Sequence, residues 1–181
     1  MHKLEKHHIP KGFRGKSKFY VQLWWLVQAT LINCSPQVFY AWRRFLLRAF
    51  GATIGKKVLI RPSAKFTYPW KVSIGDHSWI GDNVVLYSLG VIEIGSNTVI
   101  SQKCYLCTAS HDYNKESFDT IAKSITVGNG CWLATDVFVG PGISIGEGAI
   151  IGARSSVFKN IEARTINIGS PTKNIGNRIK V

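Results

Sequence analysis

A chain of 181 residues, 45% hydrophobic and 18% charged, with no low-complexity tract, fits one globular domain and excludes a disordered or fibrous protein. Its net charge of +13 is uneven, with nine Lys or Arg in the first 50 residues against a single acid, Glu5. Such a terminus either attracts phosphate-rich partners (nucleic acid, an anionic lipid surface, a phosphorylated substrate) or serves only as a solubilising tail.

The opening "MHKLEKHHIPKGFRGKSK" lacks the apolar core and cleavage pattern of a secretory signal, so none is expected. His2, His7 and His8 fall in this basic, mobile-looking tail. The apolar run Phe19 to Cys34 is interrupted by Gln, Thr and Asn and is short of the roughly 20 residues a spanning helix needs. Residues 19–33 and 36–50 read instead as two helices broken at "CSPQ", with Ser35 capping the second and Pro36 in its first turn. A Trp-rich apolar face flanked by Lys and Arg suits an interfacial helix at a membrane surface. The competing reading packs both helices over the end or side of the following domain.

From Ile54 a large apolar residue recurs every six positions: Ile54, Ile60, Phe66; then Ile74, Ile80, Leu86; then Ile94, Ile100, Leu106. After a polar break at 112–126 the step resumes through Val127, Leu133, Val139, Ile145, Ile151 and Val157. Six is neither the 3.6 of a helix nor plain strand alternation. It suits a parallel β-solenoid in which three hexapeptides make one coil and each step residue points into the axis of a prism. Five coils are expected: 54–71, 74–91, 94–111, 127–144 and 145–162. The residue four beyond each step is mostly small or β-branched, Ser110 among them, and should fill the remaining axial space. Gly directly after the step residue should serve corners needing positive φ. The domain plan is a tail with two amphipathic helices (1–50), the repeat domain (51–162, excursion 112–126) and a C-terminal cap (163–181).

"CYLC" has the spacing of a zinc half-site, but Cys104 and Cys131 occupy inward small positions and no second pair completes a tetrahedron. No metal is expected. Packing accounts for most of the six Trp, and no nucleic acid is expected as a partner.

The hexapeptide step, the polar excursion after the third coil and the closing "IGSPTKNI" resemble the left-handed parallel β-helix acyltransferases. "LIRPSAKFTYPWKVSIGDHSWIGDNVVLYSLG", "YLCTASHDYN" and "VGPGISIGEGAIIGARSSVFK" are most similar to the colanic acid biosynthesis acetyltransferases, and more distantly to maltose and galactoside O-acetyltransferases. The resemblance implies an acetyl-CoA-dependent O-acetyltransferase of exopolysaccharide or capsule synthesis, acting on a free, nucleotide-linked or lipid-linked sugar. It further implies a homotrimer with active sites between subunits; the missing signal pattern and the four Cys without a secreted-type framework place the chain in the cytoplasm, with the inner face of a membrane as a further expectation. His111 takes the general-base position. Asn83, Asp112 and Tyr113 fall at acceptor-contacting positions, and Asp112 or a backbone carbonyl would orient His111. Trp132, Thr135 and Ala153 match positions along the pantetheine arm, with a backbone N–H near Thr135 for the oxyanion. Lys159 and Lys173 match positions that meet the CoA phosphates. Two departures, "GSPT" for the usual "GNPA" and "FKN" for "TKD", bear on the fine CoA contacts. A xenobiotic or free-sugar acetyltransferase and a non-catalytic scaffold are the alternatives.

Overall fold

The computed structural model describes residues 2–9 and 12–179; Met1, Pro10, Lys180, Val181 and the basic Lys11 lie outside the described residues. All fifteen step residues are buried. They form three parallel ladders, one per prism face. Ile54, Ile74, Ile94, Val127 and Ile145 stack on the first face. Ile60, Ile80, Ile100, Leu133 and Ile151 stack on the second, and Phe66, Leu86, Leu106, Val139 and Val157 on the third. A period of six with three corners gives each face one inward side chain per coil, so the axis becomes a continuous apolar column.

Polar residues in that column are bonded along it. Ser78 Oγ donates to the Gly95 carbonyl at 2.7 Å and Thr98 Oγ1 to that of Gly128 at 2.8 Å. The Cys104 and Cys131 thiols point at the carbonyls of Ala134 and Gly146, 3.0 and 3.1 Å away, and burial pushes the Cys104 thiol up to about 11. These are small core thiols. Ser110 departs from the expected pattern: it is exposed, because the chain has already left the prism.

The corner glycines also act differently from the expectation. Positive φ falls two residues after the Gly, on Lys57, His77, Asn83, Asn97 and Arg154, and at the equivalent corners Lys103 and Asp136, where Ser101 and Ala134 stand in place of the Gly. The Gly itself is required because adjacent coils touch there: a Cβ on Gly95 would sit 2.6 Å from the Asn129 nitrogen.

Helix α1 (Lys18–Val27) runs into a π-helical turn, Gln28–Ile32, and α2 spans Tyr40–Ala49. The second helix starts four residues later than expected. Ser35 does not cap it; its hydroxyl donates back to Ile32 and accepts from Arg43. Together the helices close the open edge of the first coil. Arg43 Nε donates to the Ile60 carbonyl, Arg44 to Val58, Arg48 to Ile54, and Trp24 Nε1 to Phe66. An exposed solenoid edge would present unpaired carbonyls to any passing strand. Much of the basic charge in α2 is spent satisfying them. Among the described residues no helix is long and apolar enough to cross a membrane.

The opposite end continues beyond the five expected coils. Ile161 bridges Ile145, and Thr165–Ile168 adds a sixth, partial turn to the second face. Lys173–Asn177 then pairs antiparallel with Thr165–Ile168 and ends the parallel stack.

Candidate functional site

After Tyr105–Cys107 on the third face the chain leaves the prism as a hairpin, Ala109–His111 paired antiparallel with Thr120–Ala122. The excursion therefore begins at Ala109, and Ile125 is already back on the first face. His111 sits on the outgoing strand of the hairpin. Its ring stacks on Phe118, centroids 4.3 Å apart and planes nearly parallel. Its Nδ1 lies 2.9 Å from the Phe118 carbonyl oxygen. A carbonyl only accepts, so a neutral His111 carries its proton on Nδ1 and keeps Nε2 as a lone-pair acceptor. Phe118 has φ +49°, an uncommon conformation for an aromatic residue, and it brings both ring and carbonyl to His111. Asp112 does not orient the imidazole. Its backbone N–H donates to the Asp119 carbonyl, and its carboxylate accepts from the Asn114 N–H and faces Lys115. Tyr113 stands exposed at the hairpin tip.

His111 opens into a cavity of about 340 Å³ walled by Tyr68, Tyr87 and Thr120 and, from the other end of the chain, by Ile9, Phe13 and Arg14. The basic tail is thus not a mobile appendage over its described length. Lys3 and Lys6 both pair with Glu116 at 2.8 Å, and Lys71 donates to the Phe13 carbonyl. His7 places Nδ1 3.0 Å from the Phe118 carbonyl and Nε2 3.3 Å from Thr120 Oγ1. No local pattern in the sequence signals this strap, since its contacts join residues from 58 to more than a hundred positions apart and follow no period.

A second depression, about 460 Å³, runs along the second face and its corner with the third. Trp132, Thr135 and Ala153 meet there with Ser101 and Gln102; Trp132 Nε1 donates to Ser101 Oγ at 3.1 Å. The Ala134 N–H is taken by the Ile151 carbonyl, while that of Thr135 donates to nothing among the described residues. Ser101 and Gln102 also line a larger cavity, about 610 Å³, which continues down the same corner past Asn83, Asp82, Arg61 and Tyr40. Arg61 Nε donates to Asp82 at 2.8 Å and holds that carboxyl below its ordinary range. Asn83 is thus a positive-φ corner residue in this groove, and it does not line the cavity of His111. Lys159 and Lys173 are exposed and line neither depression. Among the described residues no group of three or more His, Cys, Asp or Glu is placed to hold a metal ion.

No family model matches the chain. It is 56% identical over 180 residues, 99% of either chain, to the WcaF proteins of Escherichia coli (strain K12) and Shigella flexneri, whose name assigns them to colanic acid biosynthesis as acetyltransferases. The chain belongs to the colanic acid biosynthesis acetyltransferases.

More distantly, this colanic acid acetyltransferase is 28% identical to the galactoside O-acetyltransferase of Escherichia coli (strain K12), over 72% of its own length and 66% of the other's. A hexapeptide-repeat acetyltransferase of Vibrio cholerae O1 biovar eltor, solved in complex with acetyl-coenzyme A, matches at TM-score 0.83 and 25% identity, covering 98% of this chain and 96% of that one. The solenoid is the left-handed parallel β-helix of these enzymes, and the protein is an acyltransferase. In this family member the hairpin of His111 leaves the corner between the third and first faces, whereas the groove of Trp132 and Thr135 lies between the second and third. One chain keeps the two apart.

Proposed function

We propose that the enzyme transfers an acetyl group from acetyl-CoA to a hydroxyl of a sugar in exopolysaccharide synthesis of the colanic acid type, with His111 as general base. The observation that carries this reading is the imidazole held through Nδ1 on the Phe118 carbonyl, on a residue that lines a cavity and whose Nε2 has no hydrogen-bond partner among the described residues. A sugar hydroxyl is a weak nucleophile, and a base that titrates near neutrality can take its proton as it attacks. The hydroxyl proton passes to Nε2 while the oxygen bonds to the thioester carbon. The oxyanion accepts from the Thr135 N–H. Collapse expels the CoA thiolate, which takes from the imidazolium the proton that the hydroxyl gave up.

The pantetheine arm lies along Trp132, Thr135 and Ala153, and Lys159 and Lys173 meet the phosphates. Asn83, Asp112 and Tyr113 contact the acceptor. Because His111 and the groove occupy different corners, each active site is completed between two copies of a homotrimer. An outward aromatic ladder on the third face (Tyr87, Tyr105, Phe138, Phe158, successive rings 5.7 to 6.2 Å apart) supports a neighbouring prism there. Use of acetyl-CoA places the reaction in the cytoplasm.

The test is thiol release from acetyl-CoA across a sugar panel, wild type beside His111→Ala. Losing the base slows acceptor-dependent turnover by roughly 10²- to 10⁴-fold. Equal turnover would overturn the role of His111.

A further inference from the structure

Both helices carry apolar residues on the side that meets the solenoid and on the side that does not, while Arg43, Arg44 and Arg48 of α2 reach the first coil. Their inward residues, Val21 and Trp24 on α1 and Leu46 and Leu47 on α2, pack on the solenoid and are buried. Their outward residues are no more polar. Phe19, Leu23 and Leu26 recur along the free face of α1, and Trp42 and Phe45 along that of α2, all exposed. The ring of Trp42 stacks on that of Phe45, 5.9 Å apart, and Trp42 Nε1 is satisfied by the Leu31 carbonyl, so the patch offers no donor there. Contrary to the expectation from packing, four of the six Trp remain exposed, and two of them, Trp25 and Trp42, belong to this end. A contiguous exposed apolar patch of this kind marks a docking surface.

Charge identifies what docks. From Lys6 to Gly75, which spans the strap, both helices and the first coil, there is no Asp or Glu, and there are thirteen Lys and Arg. Lys18, Lys56, Lys57 and Lys65 are exposed around the cap, with no ion pair among the described residues. Two copies meeting cap to cap would bring two acid-free, basic ends together, which like-charge repulsion opposes. A bilayer bearing anionic headgroups meets both requirements, an apolar layer for the rings and leucines and negative charge for the rim. We propose that the outward face of α1 and α2 is a membrane-docking platform that lies in the headgroup region of an anionic bilayer without crossing it. The assignment is independent of the acetyl-transfer chemistry.

The experiment is flotation of the full chain with vesicles of phosphatidylcholine alone or with about 30% phosphatidylglycerol, at about 0.1 M and about 1 M salt. The wild type should bind the anionic vesicles at least about tenfold more tightly than the neutral ones, and high salt should remove most of that preference. Leu26→Glu with Phe45→Glu, with circular dichroism and melting unchanged, should lose binding by about tenfold or more. Lys18→Gln, Lys56→Gln and Lys65→Gln together replace only exposed side chains; at roughly fivefold per charge they should reduce the preference for anionic vesicles. No flotation, equal flotation with both vesicles, or binding untouched by either variant would overturn the platform. So would a self-association that Leu26→Glu with Phe45→Glu abolishes in a protein that does not float.

Discussion

His7 and His111 share one hydrogen-bond acceptor. Their Nδ1 atoms lie 3.0 and 2.9 Å from the Phe118 carbonyl oxygen, with ring centroids 5.8 Å apart. The first residues of the chain are thereby tied to the hairpin that carries the proposed base.

The strap is fastened at Glu116, which Lys3 and Lys6 both grip. Exposed ion pairs contribute little to global stability, so Glu116→Ala should leave the melting temperature nearly unchanged. The strap should open more often, and diethyl pyrocarbonate should modify His111 several-fold faster, as read by mass spectrometry of the hairpin peptide. An unchanged rate means that the strap does not shield the ring.

Gly95 and Asn97 share a corner and should respond in opposite ways. Gly95→Ala forces a Cβ against the Asn129 backbone nitrogen, and overpacking of this kind should cost about 3 kcal/mol in urea unfolding. Asn97, at φ +54°, should accept Gly with little change, whereas Asn97→Ala should cost about 1 kcal/mol. Equal tolerance at both positions would contradict the stacking argument.

Arg43 is buried and donates to the carbonyls of Ile60, Pro36 and Gln37. Arg43→Met strands those acceptors and should cost about 3 kcal/mol. Arg43→Lys should recover little, because an ammonium cannot reproduce the guanidinium fork. Full recovery by Lys would show that the charge matters and the fork does not.

Asp82 accepts from Arg61 at 2.8 Å and from Ser63 at 3.0 Å, and the Arg61 bond lowers its pKa. A depressed carboxyl contributes stability above its unfolded pKa, about 3.9, and loses it as pH falls toward the folded value. Wild type should therefore melt above Asp82→Asn at neutral pH, and the gap should narrow as pH falls below about 3.9 and through the depressed folded value. A gap that persists in acid would point to packing instead.

Trp132→Ala should raise the KM for acetyl-CoA roughly tenfold and leave the acceptor KM alone. A rise confined to the acceptor KM would move the donor groove elsewhere.

The prism was legible because Ile54, Ile74, Ile94 and their kin all face one axis, and a side chain repeated in one environment writes a period into the sequence. The position of His111 on a segment that leaves the prism was legible from the break in that period, while its proposed role rests on the resemblance. The reason for the glycines was not, since a Cβ clash with the next coil and a left-handed φ call for the same residue type. Ser110 kept the phase and still left the prism, because hairpin pairing with Ile121 outweighs one more inward step. The second helix began late because Arg43 draws residues 35–37 onto the first coil as a loop. The strap rests on a few charge and ring contacts between distant segments, for which no local pattern exists.

The solenoid also works as a ruler. Coils stack at about 4.8 Å, so the hairpin on the third coil stands about 10 Å above the first. The helical layer beneath adds roughly 10 Å. With the cap seated on a headgroup layer, the rung count sets the height at which His111 meets its acceptor, about 20 Å from the surface. A hydroxyl carried by the first few sugars of a surface-tethered glycan lies within that height. Removing one whole coil between cap and hairpin would lower the reaction plane by a single rung while leaving the chemistry intact.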